Sequence, residues 1–478
     1  MIDPPISRRG FLKLLGAACA LSGLGAGLGG VVSACAHGSL ATNTTATIAS
    51  GQWSSTTSST TTTVTSGPEL GRPLRIGLVS AKTGALALSG KADDWWTEYA
   101  LAAMPAGLIS GDGKSRQIKL LVEDNRSDPK AAASAAVKLI SEARVDIILC
   151  SGASDLVNAV ADQAEARECP CLADFLPWRS FVFDRGGSLN TPFKWTYAHA
   201  FGLEDLSGDF LQMWGQLSTN KSVGLVFADD AYGRQWTDAS QGLPALATVA
   251  GYKCDLPPLY ALSTGDFTPQ LTELRKNGCE ICCGAMSTAD FLAFWKQAKA
   301  QGYQPKIVTI ADALVFPQAL EAVGLGGVGL TAGGLWQPDW PFKDSITSKS
   351  PAELARDYMN KTGEQWTAAI GQYAKFEWVV DVFKRMANIL DKNDVIARVK
   401  TTRLQTCAGL IDFTAPVSVW DPAASRRPVE NVYKAPVCGV QWVKGSTKGS
   451  TFSFEPTVTA NKSDPELPAT GFIEQMGY

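Results

Sequence analysis

Three stretches of this sequence have spacings that could hold a metal or a nucleotide: Cys279-x-x-Cys282-Cys283, Gly324-Leu325-Gly326-Gly327-Val328-Gly329, and Gly84 through Gly90-Lys91. A zinc site needs thiolates that converge on one point. Cys282 and Cys283 fall in an apolar run, 279–286, that reads as a buried strand, and consecutive strand residues point to opposite faces. No second CxxC stands at zinc spacing, so these thiols are expected in the core. The glycine run matches the dinucleotide fingerprint, but that fingerprint must follow a strand and open a helix. Here it follows a helical pattern, 317–323, and enters a strand, so it reads as a turn. The third stretch has a spacer one residue too long for a phosphate loop, and Ala92 stands where the magnesium-binding hydroxyl belongs.

Catalytic groups are equally sparse. The only histidines are His37 and His199, which leaves little for the base and metal-ligand chemistry that imidazole usually supplies. No nucleophile elbow follows a strand. The neighbouring carboxylates Asp93-Asp94 and Asp229-Asp230 suit solvated or capping roles. No enzyme activity, cofactor or metal is expected.

The elements that position any site begin after a long leader. Ser7-Arg8-Arg9-Gly10-Phe11-Leu12-Lys13 reads as a twin-arginine export signal, with Arg8 and Arg9 as the pair. The apolar stretch 14–32 is broken by six glycines, too many for a spanning helix of about 20 strongly apolar residues. It ends in Val32-Ser33-Ala34-Cys35, which resembles a lipobox with Cys35 as the lipidated residue. Residues 1–35 are thus expected as signal and 36–70 as a flexible Ser/Thr-rich linker. Removing the signal takes away Arg8, Arg9, Lys13 and Asp3, leaving 40 basic and 45 acidic residues. That balance argues against nucleic acid. Cys407 and Cys438 are candidates for a disulfide in an oxidising compartment.

From residue 75 short apolar runs alternate with helical patterns. Runs 75–81, 118–124, 145–151 and 169–175 read as strands, and Ala132, Ala136, Leu139, Ile140 and Ala143 put one apolar face on 130–143. The pattern restarts with 222–228, 279–286, 306–312 and 328–336. Alternating strand and helix predicts parallel sheets covered on both faces. Two series predict two α/β, Rossmann-like lobes joined by a hinge, with ligands at the carboxyl ends of the strands. The first lobe is expected over 71–197 and 337–412, the second over 198–336 and 413–478.

Several segments together resemble the type I periplasmic solute-binding proteins of branched-chain amino acid ABC importers. Leu74-Arg75-Ile76-Gly77-Leu78-Val79-Ser80-Ala81-Lys82-Thr83-Gly84 is similar to their first strand and loop. Glu123-Asp124-Asn125-Arg126-Ser127-Asp128-Pro129-Lys130-Ala131 resembles their acidic turn, and Phe227-Ala228-Asp229-Asp230-Ala231-Tyr232-Gly233 their "YG" loop. Gly265-Asp266-Phe267 with Leu271, Leu274 and Lys276 resembles the helix that follows. Trp340-Pro341-Phe342, Thr362-Gly363-Glu364-Gln365-Trp366 and Tyr373 resemble a subgroup with aromatic-rich pockets. The matches run in order from about residue 72 to 445.

The resemblance implies a ligand pocket. Carried across, it gives Ser89 in the first loop and Ser154 at a helix start, where a hydroxyl and backbone N–H groups can hold a carboxylate; Ser154 also suits an N-cap. In Asp174-Phe175-Leu176-Pro177-Trp178 the chain departs from the amino acid binders, which have small residues there. Phe175 and Trp178 could stack on a flat ligand. Tyr232, Met286, Asp312, Trp336 and Tyr373 complete the set. Asp312 would hold an ammonium or another donor, unless it caps the helical run 314–323. The disulfide of the family's first lobe is absent, with Ser127 and Ala153 in its places. The implied function is capture of a small organic solute, amino acid-like or an aromatic carboxylate, by lobe closure. A monomer held to the membrane by lipid would deliver it to ABC permease subunits, in the periplasm or on the outer face of the cell membrane. A ligand sensor on the same fold and an exported enzyme are the alternatives.

Overall fold

The computed structural model describes residues 67–419 and 427–478. The export signal with Arg8 and Arg9, the lipidation residue Cys35 and the linker up to residue 66 lie outside the described residues. In chain order the strands of the two main sheets are β1 (Leu74–Ser80), β2 (Ile118–Asp124), β3 (Ile147–Ser151), β4 (Cys171–Pro177), β5 (Thr196–Phe201), β6 (Ser222–Phe227) and β7 (Lys253–Asp255). They continue with β8 (Ile281–Ala285), β9 (Ile307–Ile310), β10 (Thr331–Gly334), β11 (Val432–Lys434), β12 (Cys438–Lys444) and β13 (Phe454–Ala460).

The first sheet has the order β11-β5-β4-β3-β1-β2 and every pairing in it is parallel. Parallel strands are covered on both faces, so their sequences are apolar throughout. β1 shows both faces at work. Leu74, Ile76 and Leu78 pack with Trp95, Trp96 and Ala100 of the helix Asp93–Ala103. Val79 turns the other way and packs with Ala132, Leu139 and Val160. The helix Pro129–Val137 starts where the sequence reads Asp128-Pro129: Asp128 accepts a hydrogen bond from the Ala131 N–H at 2.7 Å, and the proline occupies the first turn.

The second sheet has the order β13-β12-β10-β9-β8-β6-β7. Its strands from β6 to β10 pair in parallel, whereas β12 and β13 close one edge in antiparallel fashion. The second sheet is thus mostly parallel, with an antiparallel pair of strands at one side. Along β8, Cys282 faces one core cluster and Ile281, Cys283 and Ala285 the other. The alternation separates the neighbouring cysteines, as strand geometry requires. All nine cysteines among the described residues are free thiols, Cys407 and Cys438 included, so the candidate disulfide is not formed.

The chain passes between the sheets three times: after β5, after β10, and between β11 and β12. The segment expected as wholly second-lobe, 413–478, is thus divided. Val432–Lys434 is the edge strand of the first sheet, in register with Ala198–Ala200 of β5. The fifth strand itself straddles the expected boundary at 197/198. Its mixture of threonine, tyrosine and histidine with small apolar residues hides a fully buried strand.

Candidate functional site

The parallel strands of both sheets end in the loops that carry most of the expected site residues. In the first lobe, Asp124 at the end of β2 fixes the loop after β1. Its carboxylate accepts hydrogen bonds from Lys82 N–H (3.1 Å), Thr83 N–H (3.3 Å) and the Thr83 hydroxyl (2.6 Å). Burial alone would raise its pKa, but the bonds from Thr83, Arg126 and Lys82 outweigh that and hold it below the ordinary carboxylate value. Ser127 adds a second tie: its hydroxyl donates to the Thr83 carbonyl (2.7 Å) and accepts from Leu86 N–H (3.0 Å). A hydroxyl pair of bonds therefore braces the place where the resemblance put a disulfide half-cystine.

Ser89 lies in this braced loop. Its hydroxyl donates to the Leu86 carbonyl at 2.7 Å, and its own carbonyl accepts from the Gln372 amide at 2.6 Å. The next loop brings Gly152 against it, with Ser89 Oγ 3.2 Å from where a Cβ would stand. Ser154 is the first residue of the helix Ser154–Ala166; Ala153 occupies the cap and makes no side-chain bond. The Ser154 hydroxyl is therefore not the cap. Its neighbour Asp155 has a raised pKa, chiefly from desolvation, with the Asp230 and Asp128 carboxylates adding to it.

Phe175 has a backbone φ of +60°. A phenylalanine in the left-handed region is strained by roughly 1–3 kcal/mol, and such strain concentrates at binding sites. The register of β4 against β5 shifts between Asp174 and Pro177, so the strand bulges at this residue. Trp178, three residues on, is different. It is fully buried in the first-lobe core, its indole N–H donating to Glu204 at 2.9 Å.

In the second lobe the Tyr232 hydroxyl donates to Asp312 at 3.1 Å. Asp312 makes no helix cap; the turn Ala313–Val315 and the helix Pro317–Val323 follow it without its side chain. Desolvation pushes its pKa up to about 7, the Tyr232 bond works against that, and the Asp230 charge adds to it. The tyrosine is aimed by the short helix Ala231–Thr237, which Asp230 caps through Gly233 N–H at 2.7 Å. Gly233 is required there, because a Cβ would stand 2.0 Å from the Ala228 carbonyl oxygen.

Three further expected pocket residues lie in the packed interior instead. Met286 is buried at the end of β8. Trp336 donates its N–H to the Cys407 carbonyl at 3.1 Å and packs on Trp366 at 6.1 Å between ring centres. Tyr373 stacks on Phe376 (6.0 Å) and meets Tyr99 edge-on (5.3 Å), fully buried. Aromatics at strand ends and in hinge segments fill space between lobes as readily as they line a cleft, and their spacing does not separate the two.

A buried polar network that the sequence did not reveal supports the site from below. Lys375 is 1% exposed. Its ammonium donates to the Gln372 carbonyl (3.0 Å), lies 3.6 Å from Asp174 and sits 5.1 Å over the Trp96 ring. Asp174 also accepts from the Ser151 hydroxyl, and Asp93 accepts from the Trp96 N–H at 2.6 Å. Desolvation raises both carboxyls, Asp174 to about 6, and the Lys375 charge opposes the rise. In sequence Lys375 is an ordinary helical lysine, one position past the start of Ala374–Arg385.

Direct bonds also join the lobes. The Arg179 guanidinium donates to Gln241, the Ser180 hydroxyl to Gln235 (3.0 Å), and the Gln235 amide to Asp184 (2.9 Å). On the other side Gln365 donates to the Phe454 carbonyl at 2.7 Å. Among the described residues no group of three or more His, Cys, Asp or Glu could hold a metal ion, and no helix is long and apolar enough to cross a membrane.

Two α/β lobes with three crossings, and with polar groups gathered at the carboxyl ends of both sheets, define a bilobal ligand-capturing protein. The chain belongs to the periplasmic binding protein family, whose model matches residues 73–426. Solved structures share the fold. An ABC transporter substrate-binding protein from Sphaerobacter thermophilus superposes with a TM-score of 0.63 at 16% identity, over 83% of this chain and 100% of that one. A leucine-binding protein from Thermotoga maritima gives 0.61 at 17% identity, over 81% and 99%. A solute-binding protein of an ABC transporter from Rhodopseudomonas palustris, in complex with 3,4-dihydroxybenzoic acid, gives 0.60 at 17%, over 81% and 98%.

Proposed function

We propose that this protein is the extracytoplasmic solute-binding component of an ABC importer, exported by the twin-arginine route and anchored through Cys35. It captures one small organic solute between its lobes and presents the closed form to membrane permease subunits. The observation that supports this reading most is the Tyr232–Asp312 hydrogen bond in the second lobe's loops after strands, opposite first-lobe loops that carry Ser89 and Ser154. Two lobes that bind better when closed shift their population on ligand binding. No covalent chemistry is asked of the chain.

The polar groups narrow the solute. Asp312 with Tyr232 favours a solute with a cation or a hydrogen-bond donor at that end. Phe175 supplies an apolar wall. An amino acid-like solute with an apolar or aromatic body fits this better than a plain aromatic acid. A panel of leucine, other amino acids, 3,4-dihydroxybenzoate and benzoate covers both classes of solute. A thermal-shift screen tests the reading. A solute at about 100 times its Kd adds roughly 2.7 kcal/mol of stability. A shift with amine-bearing solutes supports it, a shift with benzoates alone overturns the assignment of Asp312, and catalytic turnover of any compound overturns the importer.

A further inference from the structure

A small pocket lies where the crossing segments come together. It encloses about 10 Å³, close to the room one water molecule needs. Asp174, Phe175, His199 and Phe201 line it from the first lobe, and Leu335 and Pro436 from two of the crossings. All but two of these are apolar, so the chemistry is set by Asp174 and His199. The two are register partners on the adjacent parallel strands β4 and β5, and each is 3% exposed.

His199 is held in a defined state. Its ring bonds to the backbone of Leu410, and burial pushes its pKa down to about 3. It is therefore neutral across the physiological range, with its one N–H committed to that backbone carbonyl. The ring lies near-parallel to Tyr433, 6.2 Å away at 18°. The other nitrogen, Nε2, is buried and has no hydrogen-bond partner among the described residues. A neutral imidazole presents a lone pair there and nothing else. Asp174 is likewise an acceptor, already met at one oxygen by Ser151 and Lys375.

Two acceptors in an apolar pocket repel an anion. One imidazole with one carboxylate is too few ligands for a metal. The pocket holds about one oxygen atom and offers it two acceptors. We infer that this hinge pocket is a binding site for a single O–H donor, which donates to His199 Nε2 beside Asp174. A resident water and a hydroxyl on the captured solute supply the same chemistry. Either one sits against residues of two of the three crossings, where lobe closure pivots. The solute-borne form rests on the importer reading; the water-borne form does not.

The chain has only two histidines, which makes the test direct. The full-length protein is labelled with ¹⁵N at histidine, and His37→Ala leaves His199 as the single source of signal. The imidazole nitrogens are then followed at pH 7 without solute, and with L-tyrosine, L-phenylalanine, 4-hydroxybenzoate and benzoate. An upfield-shifted, hydrogen-bonded Nε2 resonance in the solute-free protein, unchanged by all four compounds, assigns the site to water. An Nε2 resonance that moves upfield with a hydroxylated compound and not with its unhydroxylated analogue assigns it to the solute. An Nε2 resonance at the position of a free lone pair in every sample overturns the inference, as does a ring protonated at both nitrogens. If none of the compounds binds by thermal shift, the importer reading is in difficulty, while the solute-free spectrum still decides the hinge site.

Discussion

Replacing Lys375 by Met tests whether the buried network beneath the cleft is held together by this one cation. Methionine keeps the hydrocarbon length and removes the charge. The structure loses a bond to the Gln372 carbonyl, the pairing with Asp174 at 3.6 Å and the contact over Trp96. Removing one partner of a buried pair costs about 3–5 kcal/mol, because the other charge is left without compensation. The pH dependence makes the prediction specific. Asp174 has a pKa of about 6 in the folded chain against an ordinary value of about 3.9. A carboxyl raised by folding stabilises the fold least when ionised: its contribution is intact below pH 4 and falls by about 3 kcal/mol as pH rises through 6. Without Lys375 the folded pKa rises further, so the loss continues above pH 6. Urea unfolding followed by tryptophan fluorescence at pH 5 and pH 8 reads the difference. The Lys375→Met deficit is expected to be several kcal/mol at pH 8 and clearly smaller at pH 5. A deficit below about 1 kcal/mol, or one equal at both pH values, refutes the reasoning.

Four other substitutions probe the site from different sides. Tyr232→Phe removes the bond that favours ionised Asp312; the pH midpoint for binding an amine-bearing solute, near 7 in the parent protein, is expected to move upward in calorimetric titrations. Asp312→Asn keeps the shape and abolishes that pH dependence, with weaker binding at pH 8 than the parent. Gly233→Ala places a Cβ 2.0 Å from the Ala228 carbonyl oxygen, so a loss of about 1–3 kcal/mol in thermal or urea unfolding is expected, with Tyr232 displaced and affinity reduced. Trp178→Phe removes a core hydrogen bond to Glu204, which should lower stability by about 1–2 kcal/mol and leave solute affinity unchanged; a large affinity loss would return Trp178 to the pocket.

The strands of both lobes were legible because parallel strands are buried on two faces and read as apolar runs. Ile118–Asp124 matches its expected span, and the other runs differ from the observed strands by one to three residues at one or both ends. The fifth strand, Thr196–Phe201, was missed because its buried positions carry Thr196 and His199. The strands Cys438–Lys444 and Phe454–Ala460 were missed because they run antiparallel as the last two strands on one side of a sheet, outside the alternating rhythm. Tyr232 and Asp312 were named from the resemblance, which puts both in loops after strands; the hydrogen bond between them was not legible in the sequence. The large aromatics were not separable in sequence. Phe175 lies strained at a bulge, while Trp178, Trp336 and Tyr373 are core, and only tertiary packing distinguishes them. Lys375 and Asp93 look like solvated helix charges; their burial is set by how the helices Ala374–Arg385 and Asp93–Ala103 meet.

Capture of one donor-bearing organic solute between the two lobes is open to direct measurement. Isothermal titration of the exported protein with amino acids and benzoates at pH 7.5 tests it most directly. Saturable one-to-one binding of an amine-bearing solute, strongly weakened in Asp312→Asn, is the expected result. Binding that is indifferent to Asp312, or confined to solutes without a donor, would contradict it.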